Sequence, residues 1–412
     1  MNEENTEDSA AETARPITTL STLRALVAVL AISPSMRSGA TSLGPVLDGV
    51  ESAFGVGAIA SGVLSALPCL VFAGVGALAV PASRRFGLTP VITVGMLVST
   101  IGLAARPFVS NFAAFLLLTI AALAGPALGN VIVPAWIKLH KAGRAVLLLT
   151  VYGSLLPIGG ALGSALGAPI AGPDGSGWRT ALVVWAPVAL LAVIAWGVAQ
   201  RIVRRDAPPA ARADGAATGS LFRARTAVAL MTMFGLQSLN AYVQFGQLPV
   251  ILDSLGIDRT SAGAMVAAIN VWAIVGGLVM PKVVDVSKHL RLIALAFGII
   301  TATGYVGLLL APGAAWLWIC LLGFGGFAFP LGVTLIPARS RTAGTTARLS
   351  GMVQPGAYLV AAVGPIVVGI VLQATGSVPL VLGFLIAVSL TMGVIGYRAA
   401  APIFVDDELA FA

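Results

Sequence analysis

Twelve long apolar runs follow one another along the chain, and they restrict its fold more than any other feature. A membrane-spanning helix needs about 20 consecutive apolar residues, and each run is close to that length. The runs occupy residues 23–46, 56–80, 89–106, 112–137, 145–171, 178–200, 226–250, 260–281, 290–311, 314–337, 347–373 and 376–398. Only 10% of the residues are charged, against about 25% in soluble domains. The sequence therefore predicts an all-α membrane protein with twelve transmembrane helices, which are numbered spans 1 to 12.

The spans fall into two sets of six, separated by residues 201–225. That stretch is rich in Arg, Pro, Ala and Gly and has no apolar period, so it is expected to be a solvated linker. The predicted organisation is an N-terminal tail (1–22), a six-helix bundle (23–200), the linker (201–225), a second six-helix bundle (226–398) and a C-terminal tail (399–412). Spans 2 and 8 echo each other, with Gly62 and Gly263 near their starts and Pro81 and Pro281 near their ends. This parallel repeat predicts two pseudo-symmetric bundles.

Positive charge predicts the orientation of the chain. On this map, every Lys and Arg residue except Arg37, Arg106, Arg179 and Arg259 lies on the side that holds both termini. Cytoplasmic loops are enriched in Lys and Arg, so both termini and the linker are expected in the cytoplasm, as in a multi-pass protein of the cytoplasmic (inner) membrane. The net charge of +8 follows from this topology and does not indicate nucleic acid binding. The acidic N-terminus is unlike a secretory signal.

Several classes of site are not supported by the sequence. Cys69 and Cys320 lie far apart in apolar segments, without the spacing of a disulfide framework or a metal site. His140 and His289 are expected in cytoplasmic loops. No arrangement of nucleophile, base and oxyanion stabiliser is visible. The chain is therefore predicted to be neither an enzyme nor a metal- or cofactor-binding protein.

Amide side chains within the spans are confined to an inner set of helices. They are Asn130 in span 4, Gln237, Asn240, Gln244 and Gln247 in span 7, Asn270 in span 8 and Gln354 in span 11. Polar residues at membrane depth are costly and normally face a bundle interior or a water-filled cavity. Tyr152 in span 5 and Tyr358, one turn beyond Gln354 on the same face, add hydroxyls to this set. Spans 3, 6, 9 and 12 have no interior amides and are expected to face lipid.

Arg37 most directly indicates a function. It lies about 20 Å along span 1 at 1.5 Å per residue, and every acidic residue lies in a tail, a loop or a span end. One interpretation is structural: Arg37 extends toward the interface or donates to carbonyls freed by Pro34. The other is that Arg37 binds an anion or strongly polar solute in a water-filled cavity, facing Gln237. The predicted substrate-binding residues are Arg37, Asn130, Tyr152, Gln237, Asn240, Asn270, Gln354 and Tyr358.

Both halves carry long motifs. They are MRSGATSLGPVL in span 1, GNVIVPAWIK in span 4, GWR at residues 177–179, FGLQSLNAYVQFGQLPVIL in span 7 and LSGMVQPGAYLVAAVGPIVVG in span 11. Together with the six-plus-six repeat, they resemble the cyanate permease and nitroimidazole exporter branch of the major facilitator superfamily. The resemblance implies the major facilitator fold, a central cavity and alternating access, with small nitrogenous anions or heterocycles as substrates. It also matches Arg37, Asn130, Gln237 and Gln354 to polar positions of the family.

The resemblance extends to the loops after spans 2 and 8, where the superfamily has a glycine-led motif with an acid and basic residues. Here PASRRFG keeps Arg84 and Arg85 but has no acid, whereas PKVVDVSK keeps Asp285. With Lys138 after span 4, these residues form the predicted cytoplasmic gate, although Lys138 is also explained as a topological anchor. The missing acid argues against a charge relay in the first half.

The predicted function is transport of a small polar solute by rocker-type alternating access around Arg37, foremost a small nitrogenous anion such as cyanate. The span interiors lack Asp, Glu and His, so uniport, exchange of like anions or carriage of the substrate's own proton are the simpler modes. Two alternatives stay open: a proton-coupled nitroimidazole or multidrug exporter, and a non-transporting membrane solute receptor. The expected partners are a small-molecule substrate and membrane lipid, and the expected oligomeric state is a monomer.

Overall fold

The computed structural model describes residues 21–203, 206 and 219–410, and most of these are helical. Ten stretches in the described part are long and apolar enough to cross a membrane, and they are spans 2 to 6 and 8 to 12. Spans 2 to 6 comprise Ala58–Phe86, Leu88–Ala105, Phe112–His140, Ala145–Ala171, and Trp178–Val183 with Trp185–Ile202. Spans 8 to 12 comprise Arg259–Val286, Leu290–Leu310, Ala315–Gly325 with Ala328–Ala338, Ala343–Thr375, and Val378–Ala399. The prediction of twelve spans is confirmed.

Spans 1 and 7 are interrupted, unlike the continuous runs that their hydropathy predicts. Span 1 is divided into Thr22–Ile32, Ser35–Thr41 and the 3-10 turn Gly44–Val46, and the short helix Leu47–Phe54 follows beyond its end. Span 7 consists of Arg225–Gly246 followed by Leu248–Ser254. Twelve crossings bring both chain ends to the same end of the bundle, which is called the termini side, and the opposite end is called the far side.

Local chemistry explains the first interruption of span 1. Pro34 has no N–H to donate to the preceding turn. The hydroxyls of the flanking serines bond back to the preceding turn, Ser33 to Val29 O at 2.6 Å and Ser35 to Ile32 O at 2.7 Å. Such back-bonding bends helices. The axis of the short segment Ser35–Thr41, which carries Arg37, therefore differs in direction from that of Thr22–Ile32.

Each half has a core near the termini side. In the first half it surrounds Trp136 and Trp196, and in the second it surrounds Phe234 and Phe297. A third apolar cluster joins the halves, because Tyr242 of span 7 packs among buried residues of spans 1, 2, 4 and 6. The central part of the molecule is therefore built from both repeats.

The two halves meet closely at the far side. A Cβ on Gly62 of span 2 would lie 2.5 Å from the carbonyl oxygen of Pro365 in span 11. Within the described residues, the hydrogen bonds and ion pairs that join the halves also lie at this end. They are the bond from Ile59 N to Gln373 Oε1 at 2.9 Å and the pair of Asp48 with Arg259 at 2.9 Å. The far side is closed.

The termini-side portions of the same helices are open. A Cβ added to Gly74, Gly153, Gly277 or Gly351, which lie in spans 2, 5, 8 and 11, would meet no atom within 4 Å. These spans are the ones that form the close contacts at the far side. The halves are therefore tilted apart toward the termini.

Two predicted solvent-exposed segments are partly packed. Residues 1–20 of the N-terminal tail and residues 204–205 and 207–218 of the linker lie outside the described part. Asp206 within the linker is only 1% exposed, which corrects the expectation of a fully solvated linker. His140, expected in a loop, is the buried last residue of span 4. In the C-terminal tail, the helix Val405–Ala410 packs back onto the second half through Thr226, whose N–H donates to Glu408.

Candidate functional site

A cavity lies beside Arg37 between spans 1, 2 and 7. It has a volume of about 430 Å³ with its mouth included, and Arg37 shares its lining with Ser65, Phe72, Tyr242 and Phe245. Only about 20 Å³ of this space is free to the centre of a water-sized sphere, which is room for about one water molecule in the conformation described. Most of the lining is aromatic or aliphatic, so one cation and a few hydroxyls define its polarity.

The charge of Arg37 has no carboxylate partner. Among the described residues, its half-buried guanidinium makes neither an ion pair nor a hydrogen bond. The predicted donation to the carbonyl that Pro34 frees, which is that of Leu30, is not observed among the described residues. Arg37 is thus available to a solute.

Aromatic rings form one wall of the site. Phe72 of span 2 packs edge-on against Tyr358 of span 11 at 5.6 Å between ring centroids, and Tyr242 lies 6.4 Å from Tyr358 and 6.1 Å from Phe245. These rings come from both halves of the molecule. Flat faces beside a fixed cation favour a planar ligand with a negative or partly negative edge.

Asn270 belongs to the same site. A Cβ on Gly160 of span 5 would lie 2.6 Å from Asn270 Oδ1 and 3.6 Å from Arg37 Cβ. Both side chains therefore flank a single glycine, whose small size lets spans 1, 5 and 8 converge. The Thr41 hydroxyl fixes this meeting point, since it donates to the Gly160 carbonyl at 2.9 Å.

Two further predicted residues pair with each other. The Tyr152 hydroxyl lies 3.4 Å from Asn130 Oδ1, joining spans 5 and 4 next to Arg37.

Gln237 is buried, and its Oε1 has no hydrogen-bond partner among the described residues. The Oγ of Ser65, in the cavity wall, is likewise buried without a partner. Unsatisfied buried polar atoms are rare in proteins. The Ser65 hydroxyl borders the cavity and is placed to bind solute or water there, whereas Gln237 is not one of the residues that line it.

Of the eight predicted binding residues, Arg37 alone lines the cavity, and two of the others lie apart from it. Asn240 is fully buried and faces span 12, where its Oδ1 accepts from Ser389 Oγ at 3.4 Å while its amide donates to Leu236 O. Gln354 is exposed, one turn toward the termini side from the half-buried Tyr358. Gln354 therefore lies on the approach to the cavity.

The predicted gate residues Arg84, Arg85, Lys138 and Asp285 are all exposed. None of them forms an ion pair with another residue in the part of the chain that the structure describes. Their place on the termini side, where the halves are apart, accounts for this. Their role as a gate stays a prediction.

A carboxylate does reach the loop after span 2, but it comes from the linker. Asp206 accepts from the backbone N–H of Thr89 at 3.1 Å and from its hydroxyl at 2.5 Å, capping span 3, and lies 3.7 Å from His140 Nε2. A carboxylate thus reaches this loop from a residue 117 positions away from Thr89 in the sequence. Such long-range partners leave no local sequence signal.

Sequence reasoning missed the aromatic wall. Phe72, Tyr242 and Phe245 lie in apolar helices where rings usually serve packing, so nothing local marks them. The available signal was the spacing of Tyr242 and Phe245, three residues apart and therefore on one helix face. Across the described residues, no group of three or more His, Cys, Asp or Glu side chains is placed to hold a metal.

Comparisons with known proteins agree with this architecture. The family model described as Major Facilitator Superfamily matches residues 29–347. The 2-nitroimidazole transporter of Escherichia coli (strain K12) is 34% identical over 377 residues, which cover 91% of this chain and 94% of that protein. The cyanate transport protein of the same organism is 24% identical over 356 residues, covering 85% and 91%. The crystal structure of a D-xylose-proton symporter superposes with a TM-score of 0.73 at 17% identity, covering 92% of this chain and 97% of that chain.

Proposed function

The chain belongs to the major facilitator superfamily, and from that premise we propose that it carries a small nitrogen-containing solute with an anionic or partly negative group across the cytoplasmic membrane. It is a multi-pass integral membrane transporter and not an enzyme. The working unit of the proposed carrier is a monomer.

Arg37 is the observation that carries the proposal. A charged side chain in the membrane costs at least about 2.5–3.5 kcal/mol on insertion scales, and such groups usually have a carboxylate partner. Arg37 has none among the described residues and borders a cavity. An anion such as cyanate would replace the missing partner, and a charge-assisted hydrogen bond to the guanidinium would hold it.

The aromatic wall favours a second candidate, a nitroheterocycle. Phe72, Tyr242, Phe245 and Tyr358 offer ring faces and edges to a planar ring, while Arg37 would bind the oxygens of a nitro group. The similarity to a 2-nitroimidazole transporter supports this candidate. Cyanate and a nitroimidazole differ in charge and area, so a comparison of the two separates the interpretations.

The carrier would work by alternating access. In the conformation described, solute would enter from the termini side, which the distribution of Lys and Arg predicts to be cytoplasmic. Tilting of the halves would then separate Asp48 from Arg259 and Gly62 from Pro365 at the far side. Gln354, on the approach, would be the first amide that the solute meets.

The test is Arg37→Ala in purified protein and in proteoliposomes. Wild-type protein is expected to be stabilised by cyanate or by 2-nitroimidazole, by about 2.7 kcal/mol at a ligand concentration of 100 Kd. Arg37→Ala is expected to lose both stabilisation and uptake while still accumulating in the membrane. Thermal unfolding and solute flux are the two measurements.

Arg24→Ala is the matched control, because Arg24 lies at the start of span 1, is exposed and has no ion pair among the described residues. Retained uptake in Arg37→Ala would sink the proposal. Binding without flux in proteoliposomes would favour a solute receptor instead. Stabilisation by cationic drugs that is the same in Arg37→Ala as in the wild type would favour a multidrug exporter.

A further inference from the structure

A second arginine, Arg106, is buried inside the first half, where it contacts the helix segment Ser35–Thr41 that carries Arg37. Arg106 ends span 3 and begins the 3-10 turn Arg106–Phe108, and its residue exposure is 0%. Charge placement alone puts it in a far-side loop. The folded chain instead directs its guanidinium into the bundle.

Arg106 binds one backbone atom of the segment that carries Arg37. Its Nη2 donates to the Gly39 carbonyl oxygen at 3.1 Å. That carbonyl is free because the N–H of Leu43, its partner in a regular helix, bonds to Ala40 O at 3.5 Å instead. The Ser42 hydroxyl is also within 3.4 Å of Gly39 O. Arg106 therefore fills the hydrogen-bond gap at the second interruption of span 1.

The absence of a side chain at Gly39 allows span 3 to approach the segment Ser35–Thr41 closely. A Cβ on Gly39 would lie 2.9 Å from Leu103 Cδ2 of span 3, so a larger residue would push the two spans apart. Leu103 lies one turn before Arg106 on the same span. Close packing of span 3 on span 1 thus aims the guanidinium at the interruption.

No acid compensates Arg106. Within the described residues it has no ion pair, and its Nε is buried without a hydrogen-bond partner. Hydrophobic residues of similar volume often replace buried charges without loss of stability, so packing alone does not require an arginine here. A charge kept in an apolar bundle is expected to act on something charged nearby.

We propose that Arg106 is a positioning residue that makes the Arg37 site prefer anions. It holds the Gly39 carbonyl, two residues from Arg37, and its charge adds to the positive potential at the cavity. The effect on solute choice rests on the proposed function, whereas the potential itself is measurable without any substrate. Charges in a poorly hydrated interior act over longer distances than in water.

The experiment measures the potential at position 37 directly. Cys69 and Cys320 are replaced by alanine, and Arg37→Cys introduces one thiol into the cavity. Its rates of modification by anionic sulfonatoethyl and cationic trimethylammonium-ethyl methanethiosulfonate are then compared. The ratio of the two rates cancels the thiolate fraction and the accessibility, leaving the local potential.

Arg106→Gln keeps a donor for Gly39 O but removes the charge. The anionic-to-cationic rate ratio is expected to fall by about tenfold, as for two charges roughly 10 Å apart in a partly polar interior. Arg106→Lys is expected to restore the ratio. Arg179→Gln is the matched control, since Arg179 donates to the Pro107 carbonyl at 3.0 Å in the same corner and should leave the ratio unchanged.

An unchanged ratio in Arg106→Gln, or no recovery in Arg106→Lys, would overturn the proposal, because a merely structural role predicts equal changes for both reagents. If Arg106→Gln does not accumulate, Arg106→His gives the same comparison within one folded protein. Its ratio must then decrease as the pH rises through about 5 to 8, where histidine loses its charge.

A transport arm distinguishes this inference from the proposed function. In the chain that retains Arg37, Arg106→Gln should weaken cyanate binding by about threefold, the square root of the tenfold change in the rate ratio, because that ratio combines the effects on an anion and on a cation. A rate ratio that responds to Arg106 while the wild type binds neither cyanate nor nitroimidazole would overturn the proposed function and leave the effect of Arg106 on the potential standing. Cyanate binding that depends on Arg37 but not on Arg106 would support the proposed function and overturn the role of Arg106.

Discussion

At the residue scale, three amides of span 7 act as links between helices. Asn240 meets Ser389 of span 12, Gln244 donates to the hydroxyl of Tyr305 in span 9 at 3.0 Å, and Gln247 donates to the carbonyl of Pro365 in span 11 at 3.0 Å. Hydrogen bonds between helices satisfy polar groups that lipid cannot. Gln237 is the exception on this helix, because no hydrogen bond among the described residues joins its side chain to another helix; its Oε1, like that of Gln247, has no partner.

Asn240→Ala is therefore expected to affect stability and not binding. Removing its hydrogen bonds should lower the free energy of unfolding by about 1 kcal/mol. The increase in melting temperature that the ligand gives should stay as in the wild type, because Asn240 faces span 12. Thermal unfolding with and without ligand measures both effects.

Tyr242→Leu supplies the contrast on the same helix. Tyr242 lines the cavity, so this variant should lose ligand-induced stabilisation. A loss of ligand binding in Asn240→Ala, with Tyr242→Leu unaffected, would mean that the site lies against span 12 and not beside Arg37.

At the element scale, glycine positions decide where helices of opposite halves can touch. Gly62 of span 2 and Gly369 of span 11 face each other across the far side, where a Cβ on Gly62 would lie 3.2 Å from Gly369 Cα as well as 2.5 Å from the Pro365 oxygen. Backbone atoms cannot yield as a flexible side chain can. The closed far side therefore depends on both positions lacking a side chain.

Gly62→Ala should shift the carrier toward a conformation open at the far side. Overpacking costs about 1–3 kcal/mol, and here the cost falls on the closed state alone. A thiol introduced by Ser65→Cys in the cavity wall should react faster with an impermeant reagent applied to the far side.

Gly74→Ala is the control on the same span, because a Cβ there meets no atom within 4 Å. It should not raise the far-side reaction rate. An equal rate in Gly62→Ala and the wild type would mean that the close approach of spans 2 and 11 does not limit opening.

At the scale of the whole molecule, the far side also holds charge. Asp48, beyond the predicted end of span 1, pairs with Arg259 at the start of span 8, and Asp253 lies 3.8 Å from the same guanidinium. Burial raises the pKa of Asp48 above its ordinary 3.8, Arg259 lowers it in part, and Asp253 raises it further. The closed state therefore binds a proton at Asp48 more tightly than a state in which this carboxyl is hydrated.

This linkage predicts the direction of a pH effect. Because the pKa of Asp48 is raised in the closed state, closure of the far side is favoured at low pH. The contribution is lost as the pH rises from the ordinary carboxyl pKa through the raised value. The far-side reaction rate of the Ser65→Cys thiolate, corrected for its ionised fraction, should increase over that window.

Asp48→Asn should abolish this pH dependence. Glu51→Gln should retain it, because Glu51 bonds to Ser61 within the same half and that contact does not change on opening. The burial-based explanation would be wrong if Asp48→Asn kept the full dependence.

Hydropathy determined the number of spans and their division into two halves, whereas the inner set of helices stays a prediction. These properties follow from the cost of placing polar groups in lipid, which acts on each segment separately. The importance of Arg37 was also visible locally, since the span interiors contain no acid that could pair with it.

Tertiary structure alone decided which polar groups face the cavity. Asn240 and Gln237 are three residues apart on one helix, yet one bonds to span 12 and the other keeps a free acceptor. Asp206 reaches the loop after span 2 from the linker, and Arg106 reaches Gly39 from span 3. Each of these contacts depends on how helices distant in sequence pack, and hydropathy carries no information about the rotation of one helix against another.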